Sequence, residues 1–442
     1  MTIRMDEGAV ELLDTLHRAG YAAYVVGGCV RDSLLGLTPH DWDLCTSALP
    51  QQGMELFGEE KCIPTGLQHG TVTVKQGGGL YEITTFRTEG AYTDGRHPDE
   101  VHFVPDVRED LARRDFTINA MAYNAKEGLI DPFGGQADLQ SGILRAVGVP
   151  RQRFTEDALR ILRLYRFAAR FGFSIDPPTA QAAQELCAHL DCVSVERIEE
   201  ELAKLLSAPA PAAYLDEKIL GVVLPELSPE ALAAAKPVVD ACPAGEQALP
   251  VRLAALLLSL GEDGTRRTLR RLRCSNACIE ETAVLVREIV SGVPGAFSSD
   301  TNRAIPSPAL LPAATGSHPS GRSSEKLPAR PPVSLNIYTR KLLGQYGLKT
   351  VQRLAALGTA LQPEHAADFA ALSELAEQLD ADGVCCRVSQ LAVNGRDLMA
   401  AGVPAGPGIR KVLEALLDGV IREEYPNERQ ALLAAVQQLA AS

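Results

Sequence analysis

Residues 22–36, AAYVVGGCVRDSLLG, and the Asp41-Trp42-Asp43 triplet after them decide how the first third of this 442-residue chain is read. The apolar run 22–26 stops at Gly27-Gly28, and residues 29–35 have the make-up of a short helix. Glycines between a strand and a helix let the backbone approach a phosphate closely, and the first helical turn offers N–H groups with no partner inside the helix. Arg31, one turn in, is placed to add a charge-assisted contact to the same phosphates. Residues 41–45 read as a second strand, so Asp41 and Asp43, two apart, point to one face. Adjacent carboxylates repel, and a divalent cation offsets that repulsion most easily. Oxygen-only ligation fits Mg²⁺, which takes one or two carboxylates together with substrate phosphates. Glu82, in the alternating run 80–86, is placed to complete such a cluster.

Outward from this stretch, residues 7–19 have helical spacing, and 71–75 and 80–86 alternate around Gln76-Gly77-Gly78-Gly79 as a hairpin. Residues 101–104 add another candidate strand. From about residue 150 the pattern becomes Ala/Leu/Glu/Arg-rich with helical period, as in 156–171, 178–189, 195–206 and 251–260. The fold class expected is therefore α+β, a small mixed sheet with flanking helices followed by a nearly all-helical remainder. Between residues 297 and 332, seven Pro, seven Ser and two Gly fill 16 of 36 positions, the composition of a disordered insertion. The expected division is 1–147, 148–210, 211–296, the insertion 297–332, and 333–442.

Hydrophobic residues make up 46% and charged residues 22%, ordinary globular values that exclude a collagenous or wholly disordered chain. No apolar run approaches the roughly 20 residues of a membrane span, and the N-terminus shows no export signal, so a cytoplasmic location is expected. The net charge of −13 argues against a nonspecific nucleic-acid binder. Two basic stripes stand out locally as places where a polyanion would be held. One is 145–170, with seven arginines against Glu156 and Asp157; the other is RRTLRRLR at 266–273. The ten scattered cysteines lack zinc-site spacing and read as reduced thiols.

In residues 156–166, counted at about 100° each, Ala158, Leu162, Tyr165 and, just beyond, Ala169 form an apolar stripe. Asp157, Arg160, Arg163 and Arg166 fan across the other half, three apart and so adjacent. Leu164 and Phe167 fall among them, which suits a helix lining a ligand cleft better than one facing bulk water.

GGCVRDSLLG (27–36) with DWD (41–43), followed by RRDFTINAM (113–121), resembles the class II tRNA nucleotidyltransferase and bacterial poly(A) polymerase family of the polymerase-β-like superfamily. The resemblance continues through DPFGGQADLQSGILRAVG (131–148), EDALRILRLYRF (156–167) and VSVERIEEELAKLL (193–206). It returns in LAVNGRDLMAAGVPAGPGIRKVLEALL (391–417), leaving out only the Pro/Ser segment. It implies a catalytic nucleotidyltransferase head, a helical neck with a nucleotide-selecting helix, and an elongated helical body and tail that binds tRNA. The reaction implied is template-independent transfer of CMP and AMP from CTP and ATP to a tRNA 3′ end with release of pyrophosphate, by a two-metal mechanism using Mg²⁺. Asp41 and Asp43 match the family's metal-binding pair, with Glu82 a further catalytic acid outside the strongest motif. Gly28 and Arg31 match triphosphate-contacting positions, and Arg114 a nucleotide-contacting arginine. Asp115 and Asn119 are expected to hold the ribose or brace the motif. Asp157 and Arg160 match the pair that reads the incoming base, and Arg163 and Arg166 match nucleotide contacts.

Within the family, full CCA addition, addition of CC or A alone, and polyadenylation share these motifs. Residues 87–106 keep an Asp-Gly-Arg-His-Pro stretch that resembles the loop supporting the switch from C to A. DPFGGQADLQ lacks the basic signature of the poly(A) polymerases, so CCA addition is the leading expectation. After His102 the histidines are His189, His318 and His365, none directly before an Asp, so the His-Asp phosphohydrolase domain of some relatives is not expected. A noncatalytic RNA-binding protein and a nucleotidyltransferase acting on a protein or small molecule are the readings from other classes. Oligomeric state is left open, although relatives are often dimers.

Overall fold

The computed structural model describes residues 2–89, 101–291 and 334–441. Both the Asp-Gly-Arg-His-Pro stretch and the Pro/Ser segment 297–332 lie outside the described residues. The chain divides into two units, Met1–Pro225 and Glu226–Ser442.

The first unit begins with helix α1 (Glu7–Arg18), whose N-cap Asp6 accepts the Ala9 N–H at 3.4 Å and whose Leu12, Leu13 and Leu16 are buried. A seven-stranded sheet is built from β1 (Ala23–Val26), β2 (Leu44–Thr46), β3 (Cys62–Gly66), β4 (Thr71–Gln76), β5 (Gly79–Thr85), β8 (Ala122–Asn124) and β9 (Gly128–Ile130). The order is β3-β4-β5-β2-β1-β8-β9. Only β2 and β5 pair in parallel, with Leu44 opposite Ile83; the other neighbours are antiparallel. The β4–β5 hairpin closes with Gln76 opposite Gly79, so its turn is the two residues Gly77-Gly78, both at positive φ, as the strand twist requires. β6 (Arg87–Glu89) and β7 (Val101–Phe103) form a separate antiparallel ribbon, so the strand expected near 101 exists but does not join the main sheet. Tyr24, Val26, Cys45, Phe86, Leu111, Ala122 and Val147 are among the buried side chains of the head's core.

Around the sheet lie α2 (Gly28–Leu34), α3 (Pro50–Phe57), α4 (Val107–Ala112) and α5 (Gly135–Ser141). Asp131 caps α5 by accepting the Gly135 and Gln136 N–H groups at 2.7 and 2.9 Å. Next come α6 (Pro150–Glu156), α7 (Leu159–Phe171), α8 (Pro177–Leu186), α9 (Val195–Leu206) and α10 (Glu217–Val223). The periodicity of 156–171 predicts one helix; the structure has two, broken at Asp157-Ala158. Asp157 is extended (φ −143°, ψ 103°) and its Oδ1 accepts the Leu159 N–H at 3.0 Å. An aspartate that bonds the backbone two residues on competes with helix continuation, and here it wins. A second correction concerns residues 41–45. The strand starts at Leu44, and Asp41 and Asp43 sit in its lead-in, with the Val26 N–H bonded to the Asp43 carbonyl at 2.9 Å.

The second unit is helical: α11 (Pro229–Ala241), α12 (Leu249–Leu257), α13 (Gly261–Arg271) and α14 (Asn276–Val290), then α15 (Leu335–Tyr346), α16 (Leu348–Leu361) and α17 (Ala366–Ala381). α12, buried from Pro250 to Leu257, packs against α11, α14 and α16. Helices α18 (Gly395–Ala400), α19 (Pro407–Ile421) and α20 (Arg429–Ala441) close on a core of Leu398, Leu416, Val420, Leu432 and Val436. Among the described residues no helix is long and apolar enough to cross a membrane.

Gly27 ends β1 at φ 78°, ψ −122°, and a Cβ there would lie 2.8 Å from the Arg114 guanidinium. Gly27→Ala should therefore cost about 1–3 kcal/mol, read as a lower midpoint in denaturant. A wild-type midpoint would show that the strand-to-helix turn tolerates a side chain.

Candidate active site

The parallel register of β2 and β5 assembles the acids. With Leu44 opposite Ile83, the preceding residues Asp43 and Glu82 emerge on the same side of the sheet, opposite to that buried pair. Asp41, two residues upstream, adds a third exposed carboxylate beside them. Partial loss of solvent around Asp43 raises its carboxyl above the ordinary value. Repulsion from Glu82 adds to this, Arg114 opposes it, and Asp41 adds a little more. Among the described residues none of the three carboxylates makes a hydrogen bond or an ion pair, whereas most buried acids of this unit are paired. Uncompensated oxygen donors at a strand end are the chemistry a hard divalent cation would satisfy. They do not form a ready-made cage: among the described residues no three acidic, imidazole or thiol groups converge to metal-ligand geometry.

Arg114 links these acids to the glycine turn. Its guanidinium rests against Gly27 and reaches Asp110 at 3.4 Å. Asp110, fully enclosed, also accepts Arg113 Nη2 at 2.8 Å and the Arg87 N–H at 3.3 Å. Burial alone would raise the Asp110 carboxyl, but the two arginines outweigh it and hold it below the usual range.

Arg31 is not free to reach outward, as the sequence led one to expect. It is 4% exposed, gives Nε to Asp32 at 2.8 Å and Nη1 to Asn119 at 2.6 Å, and lies over the rings of Phe167 and Phe171 at 5.3 and 5.0 Å. Its remaining Nη2 faces Gly28. Asn119 passes the connection on by donating to Asp115 at 3.1 Å. Asp115 takes Arg163 through both Nε and Nη2, at 2.9 and 2.6 Å. Arg163 lies 3.7 Å from Glu201 of α9, which also holds Arg166 at 2.5 Å. Asp115 and Asn119 therefore brace the motif.

At the α6–α7 break, Asp157 faces Arg197 of α9, Nη2 to Oδ2 at 2.8 Å. Arg160 is buried and donates to Glu156 at 2.8 Å and to the Arg113 carbonyl at 3.0 Å. Since Arg113 precedes Arg114, this contact ties the Asp157–Arg160 junction to the cluster around Asp43. The stripe Ala158, Leu162, Tyr165 and Ala169 is buried as expected, but so are Arg160, Leu164, Arg166 and Phe167 on the other side of α7. The basic stripe 145–170 proves to be ion-paired throughout, with Arg153, Arg160, Arg163 and Arg166 turned inward and Arg145, Arg151 and Arg170 paired nearer the surface. Arg145 pairs with Asp138 and Asp176, Arg151 with Glu185, Arg153 and Arg160 with Glu156, Arg163 with Asp115, Arg166 with Glu201, and Arg170 with Asp32. Asp110, Arg197 and Glu201 escaped sequence reasoning. Only Asp110 had a local signal, its spacing of three and four from Arg113 and Arg114.

With this geometry in place, three family models match the chain. They are the poly(A) polymerase head domain over residues 23–145, the RNA- and SrmB-binding site of polymerase A over 172–230, and tRNA nucleotidyltransferase domain 2 over 336–436. The chain is 36% identical to a CCA-adding enzyme of Lactiplantibacillus plantarum over 97% of its own length and 95% of the relative's. It is 34% identical to that of Geobacillus stearothermophilus, covering 96% and 95%. Its fold matches the crystal structure of the Bacillus stearothermophilus CCA-adding enzyme in complex with CTP, with a TM-score of 0.77 and 30% identity over 99% and 98% of the two chains. The Thermotoga maritima CCA-adding enzyme complexed with tRNA is similar in fold, with a TM-score of 0.61 at 20% identity over 99% and 97%.

Burial would push the Asp115 carboxyl up, yet Arg163 together with the Asn119 and Arg163 hydrogen bonds and Arg160 hold it down to about 2. A carboxyl depressed in the folded state stabilises above its unfolded pKa, and that contribution fades as pH falls towards the folded one. Asp115→Asn should thus cost about 2 kcal/mol at pH 7, with the gap to wild type narrowing below about pH 4. Unfolding in denaturant from pH 7 to pH 3 measures it; a gap independent of pH would show that the charge of Asp115 contributes nothing.

Proposed function

The chain belongs to the CCA-adding enzymes, and from that premise we propose how its residues divide the work. The protein adds CCA to the 3′ end of tRNA, taking CMP from CTP and AMP from ATP and releasing pyrophosphate. Each addition joins the tRNA's terminal 3′-oxygen to the α-phosphorus and breaks the bond to the β-phosphate bridge. Enzymes of this family depend on a divalent metal. In our reading the ion is Mg²⁺, held by Asp41 and Asp43 with Glu82 beside them. When bound it supplies positive charge that makes the attacking hydroxyl more acidic and stabilises the leaving pyrophosphate. What supports this assignment is the in-register placing of Asp43 and Glu82, carboxylates that make no ion pair among the described residues.

Gly28 and the Nη2 of Arg31 that faces it are assigned to the triphosphate, and Arg114, between the glycine turn and Asp43, to the nucleotide next to the acids. Asp157 and Arg160 are assigned to base choice. Cytosine and adenine both present an exocyclic amine beside a ring-nitrogen acceptor, and uracil and guanine present the reverse. A carboxylate accepts from the amine and a guanidinium donates to the ring nitrogen. A wrong base leaves buried groups unpaired, at about 1–3 kcal/mol each. Of the two further arginines assigned to the nucleotide, Arg163 keeps a third of its side chain exposed and Arg166 much less. The head of 1–147, the neck of 148–210 and the helical parts beyond it are the division of labour that goes with this reading, and the cytoplasm is its location.

Incubation with Mg²⁺, labelled CTP and ATP, and tRNA lacking its 3′ end should yield three added residues, CCA. Asp43→Asn should lower the rate by at least about a hundredfold while leaving the circular dichroism unchanged. A long A tail, or a stop after CC, would reassign the chain within its family. Full activity in Asp43→Asn would remove the metal assignment.

tRNA phosphates need unpaired cations. On α13, Arg266 is taken by Glu262 and Glu280, and Arg271 by Glu226, while Arg267 and Arg270, one turn apart and exposed, have no ion pair among the described residues. Replacing both by Gln should flatten the dependence of log Kd for tRNA on log[salt] by about 1–2 in slope. An unchanged slope would take α13 out of the footprint.

A further inference from the structure

α9 contributes two charged side chains to the selecting junction, one turn apart and of opposite sign. Glu201 holds Arg166 and approaches Arg163, while Arg197 holds Asp157. The second contact matters for base choice, because Asp157 stands at a helix break where the backbone alone does not fix its side chain. Oδ1 is bound by the Leu159 N–H and Oδ2 by Arg197, so the two contacts together set the plane of the carboxylate. Arg197 makes no other ion pair among the described residues, and neither partner is open to bulk water, at 22% and 14% side-chain exposure.

We propose that Arg197 is a specificity-determining positioning residue, which fixes the plane of the Asp157 carboxylate so that it faces the incoming base as an acceptor. This rests on the reading of Asp157 as the acceptor for the exocyclic amine. Each carboxylate oxygen has a second lone pair, so both can accept from a base while keeping their present partners. Aimed in this way, the carboxylate accepts from the exocyclic amine of cytosine and meets the O4 of uracil with repulsion. A carboxylate free to rotate would lose the aim on which discrimination depends. Arg197 thereby rejects UTP without touching it. Arginine suits the task because its planar fork holds one orientation, which the point charge of lysine does less well.

The test is single-turnover addition to tRNA lacking CCA, comparing kcat/KM for CTP and UTP in wild type, Arg197→Ala, Arg197→Lys, Asp157→Ala and the Asp157/Arg197 double alanine variant. Arg197→Ala should lower the CTP-over-UTP preference about tenfold, with tRNA affinity unchanged. Arg197→Lys should recover part of the loss, and the double variant should be no less selective than Asp157→Ala alone. If Asp157→Ala relaxes selection while Arg197→Ala keeps the wild-type ratio, the inference is overturned and the reading of Asp157 stands. Equal loss of CTP and UTP turnover in Arg197→Ala, or additive effects in the double variant, also overturns it. If Asp157→Ala leaves the ratio untouched, the underlying reading falls.

Discussion

Asp115 receives Arg163 twice, Asn119 once and its neighbour's backbone amide, all within an enclosed site. That single carboxylate joins the glycine-turn helix, through Asn119 and Arg31, to α7 through Arg163. Buried ion pairs add little net stability, because desolvating two charges offsets much of their attraction. Their geometry is demanding, however, and a misplaced partner leaves a charge stranded. The network is therefore better understood as setting relative orientation: the acids at the end of β2 and the junction before α7 are held to one frame by hydrogen bonds with fixed directions.

Local pattern made some of this legible. The hairpin, α2 and α9 follow from alternation, a glycine stop and helical spacing, signals that lie within a few residues of one another. Glu82 was placed with the acids only because it lies in the alternating run 80–86; the parallel β2–β5 pairing that sets it beside Asp43 has no local signal. The break at Asp157 was not legible, since a side chain bonding its own backbone overrides a periodicity that favours continuing the helix. Nor was the enclosure of Arg31, whose partner Asn119 lies 88 residues away, or the pairing of Asp157 with Arg197 at a separation of 40. Site roles came mainly from the resemblance of motifs to a family; the spacing of 156–166 alone pointed to a helix lining a cleft and to no particular ligand.

Charge tells a similar story. A chain with a net charge of −13 that handles a polyanion must separate its cations by purpose. The seven arginines of 145–170 looked like a docking stripe, but each meets a carboxylate, several from distant parts of the unit. Arg153, Arg160, Arg163 and Arg166 organise the interior, and Arg145, Arg151 and Arg170 are paired nearer the surface. Arg267 and Arg270 of α13, less conspicuous in a count, are exposed and have no ion pair among the described residues, which is why the tRNA contact is proposed there. Local charge density in a sequence therefore says where positive side chains are, not which way they face.

The glycine turn also encloses Cys29, which is 3% exposed and donates its S–H to the Val26 carbonyl at 3.4 Å. Burial, with Asp43 nearby, pushes this thiol up to about 11. At neutral pH the reactive thiolate is then scarce. Of the ten cysteines only Cys192 is exposed. Peroxide or an alkylating electrophile would meet that sulfur long before the one beside Asp43, so the glycine turn is chemically quiet although a nucleophilic element sits next to it.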